Sequence, residues 1–440
     1  MATTILMTFF TVISLNAKSI FVTDNHFLSP NDYGANGSDR IDDTNAFQKC
    51  INEAKKNKTS KIVVSPGTYI IGQTILIESI SNLTIEGAGA ILVKPFGNKS
   101  NILFGNFNSQ ITIRDMVFEG NRDQVYQGQW PEKMNACAII GRSSGIRFEN
   151  CVVRNFYYGV CFGTSTENGY DVWVIDCQFE NNNSDIDLYG KPSLHIRGNV
   201  SHNCTGNSIQ IEPPYKRKGE HFDYLDQPEI DALSVGNIVS ENVIVGCNGI
   251  GINIFGGCEN ITVSNNQIIN YGISGIMTHA GSKNLQISGN IISNSQYPRT
   301  NERPWKDQGA GIVLSRVENV VIGGNIISHP NTGIFVSGTN GAIICNNKVS
   351  DSKDAGICLY NAEKCQISQN TIENSNLSQS WWGNSGIVVY SSKDISICST
   401  TILDRNKSSY SIFTGDSSNV TINNVLGYGY KTSLTYPANL

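Results

Sequence analysis

No apolar run in this chain approaches the roughly 18 residues that a membrane-spanning helix needs, so a membrane is not an expected partner. An excess of positive charge is missing too. The 32 Lys and Arg stand against 37 Asp and Glu, a formal net charge of −5, which argues against nucleic acid as a general partner. Of the six histidines, His202, His221 and His279 lack the i, i+4 or paired spacing of a zinc site. Twelve cysteines are present but no C-x-x-C pair, so cysteine-bound metal is not expected. Proline is scarce beside glycine, 12 against 42, a balance that suits strands joined by tight bends.

What the chain has instead is a period. Asn242, Asn266, Asn290, Asn325, Asn347 and Asn370 each end a short apolar run, at gaps of 24, 24, 35, 22 and 23 residues. The long gap holds an insertion, QYPRTNERPWKDQG, at 296–309. Each unit also carries a Gly-Ile-x-apolar step, beginning at 251, 275, 311, 333, 356 and 386. A fixed period of this size marks a solenoid whose units bury their apolar faces only by stacking. Alternation with period two inside each unit makes the coils strands rather than helices. Stacking places equivalent residues about 4.8 Å apart. An inward asparagine at a bend can then bond the backbone of the coils above and below, which explains its recurrence. The expected fold is all-β, a parallel β-helix. One elongated domain replaces the two or three that the length alone would suggest. Cys151 and Cys177 share a column of successive coils, as do Cys345 and Cys398 two coils apart, so the cysteines read as small buried hydrophobes rather than a disulfide framework.

The first 17 residues hold an apolar stretch from Ile5 to Leu15 and end at Ala17, the pattern of a secretory signal without its usual basic start. A secreted, extracellular protein is therefore expected. Residues 18–58 follow as an N-terminal segment with a capping helix, and 59–440 as the β-helix proper. Asp43 or Thr44 can cap that helix, and Phe47, Cys50, Ile51 and Ala54 fall at i, i+3, i+4 and i+7, an apolar stripe suited to closing the end of a solenoid. YGANGSDRIDDTNAFQKCINEA, followed by VVSPGTYIIG, resembles the opening of the pectate-lyase-like superfamily, and RDMVFEGNRDQ at 114–124 repeats a further segment common there. That superfamily includes polysaccharide lyases, phage tailspike depolymerases and mannuronan C5-epimerase modules. The resemblance implies a right-handed β-helix of about 12 coils and a carbohydrate-active protein, but fold analogy alone does not settle function.

Aligning the coils on Val160, Ile186, Ile209, Ile252, Ile276 and Ile312 directs the residues one and three places later outward. The first outward column reads Cys161, Asp187, Gln210, Asn253, Met277 and Val313, and the second Gly163, Tyr189, Glu212, Phe255, His279 and Ser315. One place before the alignment residue stand Gly159, Asp185, Ser208, Gly251 and Gly275. Ionisable and amide side chains thus gather on about four consecutive coils and then cease. Four insertions border the same face, at 121–136, 213–234, 296–309 and 376–384. They bring Trp130, Lys216, Arg217, Trp305 and Trp381, aromatics that stack on sugar rings and cations that pair with carboxylates or sulfates. An acidic chain with basic loops over one groove points to an acidic polysaccharide or oligosaccharide.

Asp187 and Glu212 are expected on adjacent coils, offset by two residues, at a diagonal of about 7–8 Å. That suits paired-carboxylate glycoside hydrolysis with a lean toward inversion, and Asp185 could replace either acid. Gln210, Asn253, Phe255, Arg142 and Lys191 are candidate substrate contacts. A lyase or C5-epimerase would instead need a base and a group neutralising a uronate carboxyl, for which Tyr189, His202, His279, Lys191 or Arg142 are available. The Tyr-Gly-x-Asp-Pro-His run of the epimerases is matched here by Tyr158-Gly159-Val160-Cys161-Phe162-Gly163, without its Asp and His. A third alternative is a non-catalytic adhesin or virion spike that holds glycan without cutting it. His195 and Arg197 are expected on another sheet, solvated. No cofactor is expected, although the resemblance leaves a place for calcium on Asp185, Asp187 and Glu212, since lyases of this fold often use it. A monomer is expected, with the side-by-side homotrimer of tailspikes as the alternative.

Overall fold

The computed structural model describes residues 27–95, 100–121, 136–163, 170–189, 193–212, 234–298, 308–375, 377, 385–404 and 410–429. Short alternating segments such as Ile250–Ile254, Cys258–Ser264 and Gln267–Tyr271 form three strands per coil. The first of each trio joins a sheet of thirteen strands, and the other two join a continuous sheet of twenty-seven. Successive coils pair in parallel, so Ile252 lies opposite Ile276 and Ile261 opposite Leu285. The apolar residues of every coil meet between the sheets in one long core, where Ile252, Ile276, Ile312 and Ile334 are fully buried. It is the parallel β-helix expected.

The Gly-Ile step has a packing reason. At the entry to the thirteen-stranded sheet, two consecutive residues turn inward. A side chain on Gly275 would place its Cβ 2.6 Å from both the Gly311 carbonyl oxygen and Ile292 Cγ2. Only glycine leaves room for the isoleucine across the core. The asparagines form the ladder expected, and Asn199 extends it by one coil. Asn290 Nδ2 donates to Asn325 Oδ1 at 2.9 Å and to the Val263 carbonyl at 3.1 Å, while the Asn290 main-chain N–H also donates to Asn325 Oδ1. The same trio of bonds recurs at Asn242, Asn266, Asn325 and Asn347. Each rung satisfies bend groups that the core would otherwise leave unpaired.

The helix Thr44–Asn57 covers the first coil with Phe47, Cys50, Ile51 and Ala54 buried. Its N-terminus departs from expectation: Asp43 occupies the cap position without a side-chain bond, and Asp42 Oδ1 accepts from the Thr44 N–H at 2.9 Å instead. Asp43 is turned back to accept from Asn36 N–H. All twelve cysteines are free thiols, nine of them buried. Cys151 and Cys177 continue the asparagine column, each donating its thiol to backbone carbonyls. No helix among the described residues is long and apolar enough to cross a membrane.

Candidate functional site

The registers bear out the two outward columns. Cys161 lies opposite Asp187, Asp187 opposite Gln210, Gln210 opposite Asn253 and Asn253 opposite Met277. Tyr189 lies opposite Glu212, so the two acids stand on adjacent coils, two residues apart along the strand. The columns are not open to solvent, however. Asp187 and Asn253 are each 1% exposed, Val313 not at all, and Glu212 is 5% exposed. The repeat phase gave the direction of these side chains but not their access to water.

Asp187 is engaged through one oxygen only. Its Oδ1 accepts from Ser184 Oγ at 2.9 Å, whereas its Oδ2 is buried without a hydrogen-bond partner. Burial pushes this carboxyl up to about 7 from an ordinary 3.8, Asp185 adds repulsion, and the Ser184 hydroxyl opposes both. Glu212 is treated differently by its neighbours. Gln210 Nε2 donates to Glu212 Oε1, and Asn207 Nδ2 donates to Gln210 Oε1 at 2.6 Å. Gln210, expected to meet substrate, thus has both ends of its amide engaged within the protein.

Asp185 requires a correction. It occupies the inward place that glycine holds in other coils, and it lies inside the solenoid rather than on the outward face. Its carboxylate accepts from Asn182 Nδ2 at 3.0 Å, Ser201 Oγ at 2.5 Å and Ser208 Oγ at 2.9 Å. Ser201 stands where the neighbouring coils put Phe179 and Ile244, so the chain exchanges glycine-plus-apolar for acid-plus-serine. Asp185 therefore cannot stand in for either acid. Nor does it share one ion with Asp187 and Glu212. Among the described residues no three Asp, Glu, His or Cys side chains are placed to hold a metal, and the calcium trio does not fit.

His279 also differs from expectation. Its ring stacks on Phe255, centroids 4.9 Å apart, and its Nε2–H donates to Asn253 Oδ1 at 2.9 Å. Burial lowers it to about 4, so it is a neutral imidazole near pH 7 and unsuited to neutralising a uronate. Arg142 sits after the strand Ala136–Ile140, two coils before Asp187, with its guanidinium 5.4 Å above the Phe107 ring. His195 is not simply solvated: it stacks on Trp173, which Arg147 covers from the other side. Trp130, Lys191, Lys216, Arg217, Trp305 and Trp381 lie outside the described residues, as does the side chain of Tyr189.

Three residues of this face were missed by the column alignment. Because two consecutive residues turn inward at the strand entry, the residue before them turns outward and shares the face of Asp187. Tyr158, Ser184 and Asn207 hold that place. Tyr158 pairs with Ser184 and is 6% exposed. Burial, then the nearby Asp187 carboxyl, raise its hydroxyl well above the usual phenol range. The signal was present in the sequence as polar residues three places before Asp187 and Gln210.

A model of the right-handed β-helix region matches residues 100–292 and 285–427, most of the chain. The chain belongs to the right-handed β-helix family. Among solved structures, a mutant tailspike protein of E. coli bacteriophage HK620 in complex with hexasaccharide is similar at 15% identity, over 93% of this chain and 80% of that one, with a TM-score of 0.67. Another form of that tailspike, in complex with pentasaccharide, is similar at 14% identity over 91% and 78%, with a TM-score of 0.63. The A-module of Azotobacter vinelandii mannuronan C-5 epimerase AlgE4 aligns at 15% identity over 94% of this chain and 100% of its own, with a TM-score of 0.48. No curated protein matches the chain. At such identities the likeness speaks for the fold, and the site's function rests on its residues.

Proposed function

We propose that this right-handed β-helix protein is an extracellular enzyme that cleaves a polysaccharide by hydrolysis, with Asp187 as the general acid and Glu212 as its partner. The observation that carries this is the unpartnered, buried Oδ2 of Asp187 on a carboxyl raised to about 7. A general acid must keep its proton at working pH and hold it toward the leaving oxygen, and a dry carboxyl next to a second acid is how proteins achieve this. Glu212, bonded by an amide N–H, is suited to remain ionised and to activate water or attack the anomeric carbon. The oligosaccharides held by the tailspike relatives belong to the ligand class proposed. A lyase or epimerase is the rival reading, in which buried Tyr158 beside Asp187, held as a neutral phenol, would donate a proton rather than abstract one.

Product chemistry separates these readings. The protein is incubated with pectate, alginate and bacterial capsular polysaccharides. New reducing ends without ultraviolet absorbance are expected, and each of Asp187→Asn and Glu212→Gln should lower turnover at least about a hundredfold. Unsaturated uronate ends would replace hydrolysis by elimination. Altered sugar composition at constant chain length would replace it by epimerisation, and binding without product would leave a glycan-holding spike.

A further inference from the structure

The two acids are joined by a polar chain whose direction is fixed at one end by the backbone. Asn207 Oδ1 accepts from the Ile250 main-chain N–H at 3.0 Å. A main-chain N–H can only donate, so the carbonyl of the Asn207 amide must face it and the Nδ2 must face the other way. That Nδ2 meets Gln210 Oε1 at 2.6 Å, which in turn leaves Gln210 Nε2 to face Glu212. Every amide in the sequence Ile250, Asn207, Gln210, Glu212 is therefore oriented, and the last member receives a donor. At the other end, Ser184 Oγ lies 2.9 Å from both Asp187 Oδ1 and the main-chain carbonyl oxygen of Asn207. Its single hydrogen can serve either, so this link tolerates Asp187 in both protonation states.

We propose that Asn207 and Gln210 are positioning residues that hold Glu212 as the ionised member of the acid pair, leaving the proton to Asp187. The catalytic meaning of this rests on the hydrolysis proposed above; the protonation states do not. An amide N–H stabilises a carboxylate and opposes its protonation, whereas an amide carbonyl in the same place would demand a proton from the carboxyl. The order Asn-x-x-Gln-x-Glu thus decides which acid is which. Among the described residues, the titratable groups around Glu212 are Asp187, Tyr158 and Cys161 from the preceding coils and Cys258 from a following strand, with Tyr189 opposite it in register and His279 beyond Asn253.

The test reads the carboxyl directly. Protein labelled with ¹³C at the side-chain carboxyls of Asp and Glu is titrated by NMR, with the Glu212 and Asp187 signals assigned by their loss in Glu212→Gln and Asp187→Asn. Gln210→Met removes the donor. Asn207→Asp keeps the acceptor for Ile250 but turns an oxygen toward Gln210, which must then present its carbonyl to Glu212. Both variants should raise the Glu212 midpoint by about one pH unit or more, a tenfold change in proton affinity. The acid limb of any pH–rate profile should move with it. If Asn207→Asp does not fold, Gln210→Met decides alone. An unmoved Glu212 midpoint in folded Gln210→Met overturns the proposal. Since no substrate enters the titration, a shifted midpoint with full turnover in Asp187→Asn would sink hydrolysis and spare the chain of amides. An unmoved midpoint with Asp187→Asn inactive would do the reverse.

Discussion

Asp187→Asn should reverse its effect on stability between pH 4 and pH 8. The carboxyl stands at about 7 in the folded chain against 3.8 as its ordinary value. Well below pH 3.8 both states carry the proton and the raised value costs nothing. As pH rises from 4 to 7 the unfolded chain releases its proton while the folded chain keeps it, so the folded state binds more protons and stability falls. Three pH units at about 1.4 kcal/mol each give a penalty of about 4 kcal/mol above pH 7. Asparagine cannot ionise and escapes this penalty. It keeps the Ser184 bond through Oδ1 but puts an N–H where Oδ2 had no partner, at a cost of about 1–3 kcal/mol. The variant should thus be less stable than wild type at pH 4 and more stable at pH 8, by about 1–3 kcal/mol there. Urea unfolding midpoints at pH 4, 6 and 8 measure the crossing. A difference between variant and wild type that stays constant with pH would refute the raised carboxyl, and the assignment of Asp187 as acid would go with it.

Replacing Asn290 by Leu strips partners from the Asn266 N–H, the Asn266 amide and the Val263 carbonyl; at about 1–3 kcal/mol per buried group the unfolding midpoint should drop steeply, and an unchanged midpoint would contradict the ladder. The triple variant Asp185→Gly, Ser201→Ile, Ser208→Gly writes the neighbouring coils' pattern into this one, and should be as stable as wild type or better by about 1–4 kcal/mol, whereas Asp185→Ala alone should be destabilised; the opposite ranking would show that the interior acid contributes more than its burial costs. His279 should stay neutral down to about pH 4 in an imidazole NMR titration, and a midpoint near 6.5 would mean that water reaches the Phe255 stack.

Much of the fold was legible because a solenoid repeats its reasons. Asn242 to Asn370 announced the bend, the Gly-Ile step announced the strand entry, and alternation gave the direction of the two columns counted forward from Val160 to Ile312. Phase is a one-dimensional property, and a single chain supplies it. Access to water is not: whether Asp187 is dry depends on what lies over the outward face, which no column of the repeat encodes. The misplacement of Asp185 had a related cause. Strict alternation sends residues 185 and 187 to the same side, and only the two-residue inward turn at the strand entry, visible in the crowding around Gly251 and Gly275, separates them. That same turn put Tyr158, Ser184 and Asn207 on the face where alternation did not look.

The departures from the repeat are themselves informative. Coils that carry Gly251, Gly275, Gly311 or Gly333 at the strand entry hold an apolar partner across the core and, from Met277 onward, apolar residues in the first outward column. The strands Ser184–Tyr189 and Ile209–Glu212 break both habits, with Asp185 and Ser208 inside and Asp187 and Gln210 outside. Buried polar groups cost stability unless paired, and the interior set is paired in full through Asn182, Ser201 and Ser208. The outer set is not, since one oxygen of Asp187 is left over. A sequence that satisfies its buried polar groups at rung after rung of one ladder, yet leaves this one open, places a locally unfavourable group where a ligand could complete it. The inner substitutions then read as support: the Asp185 charge lies close enough to Asp187 to raise it, so the interior acid helps keep a proton on the exterior one.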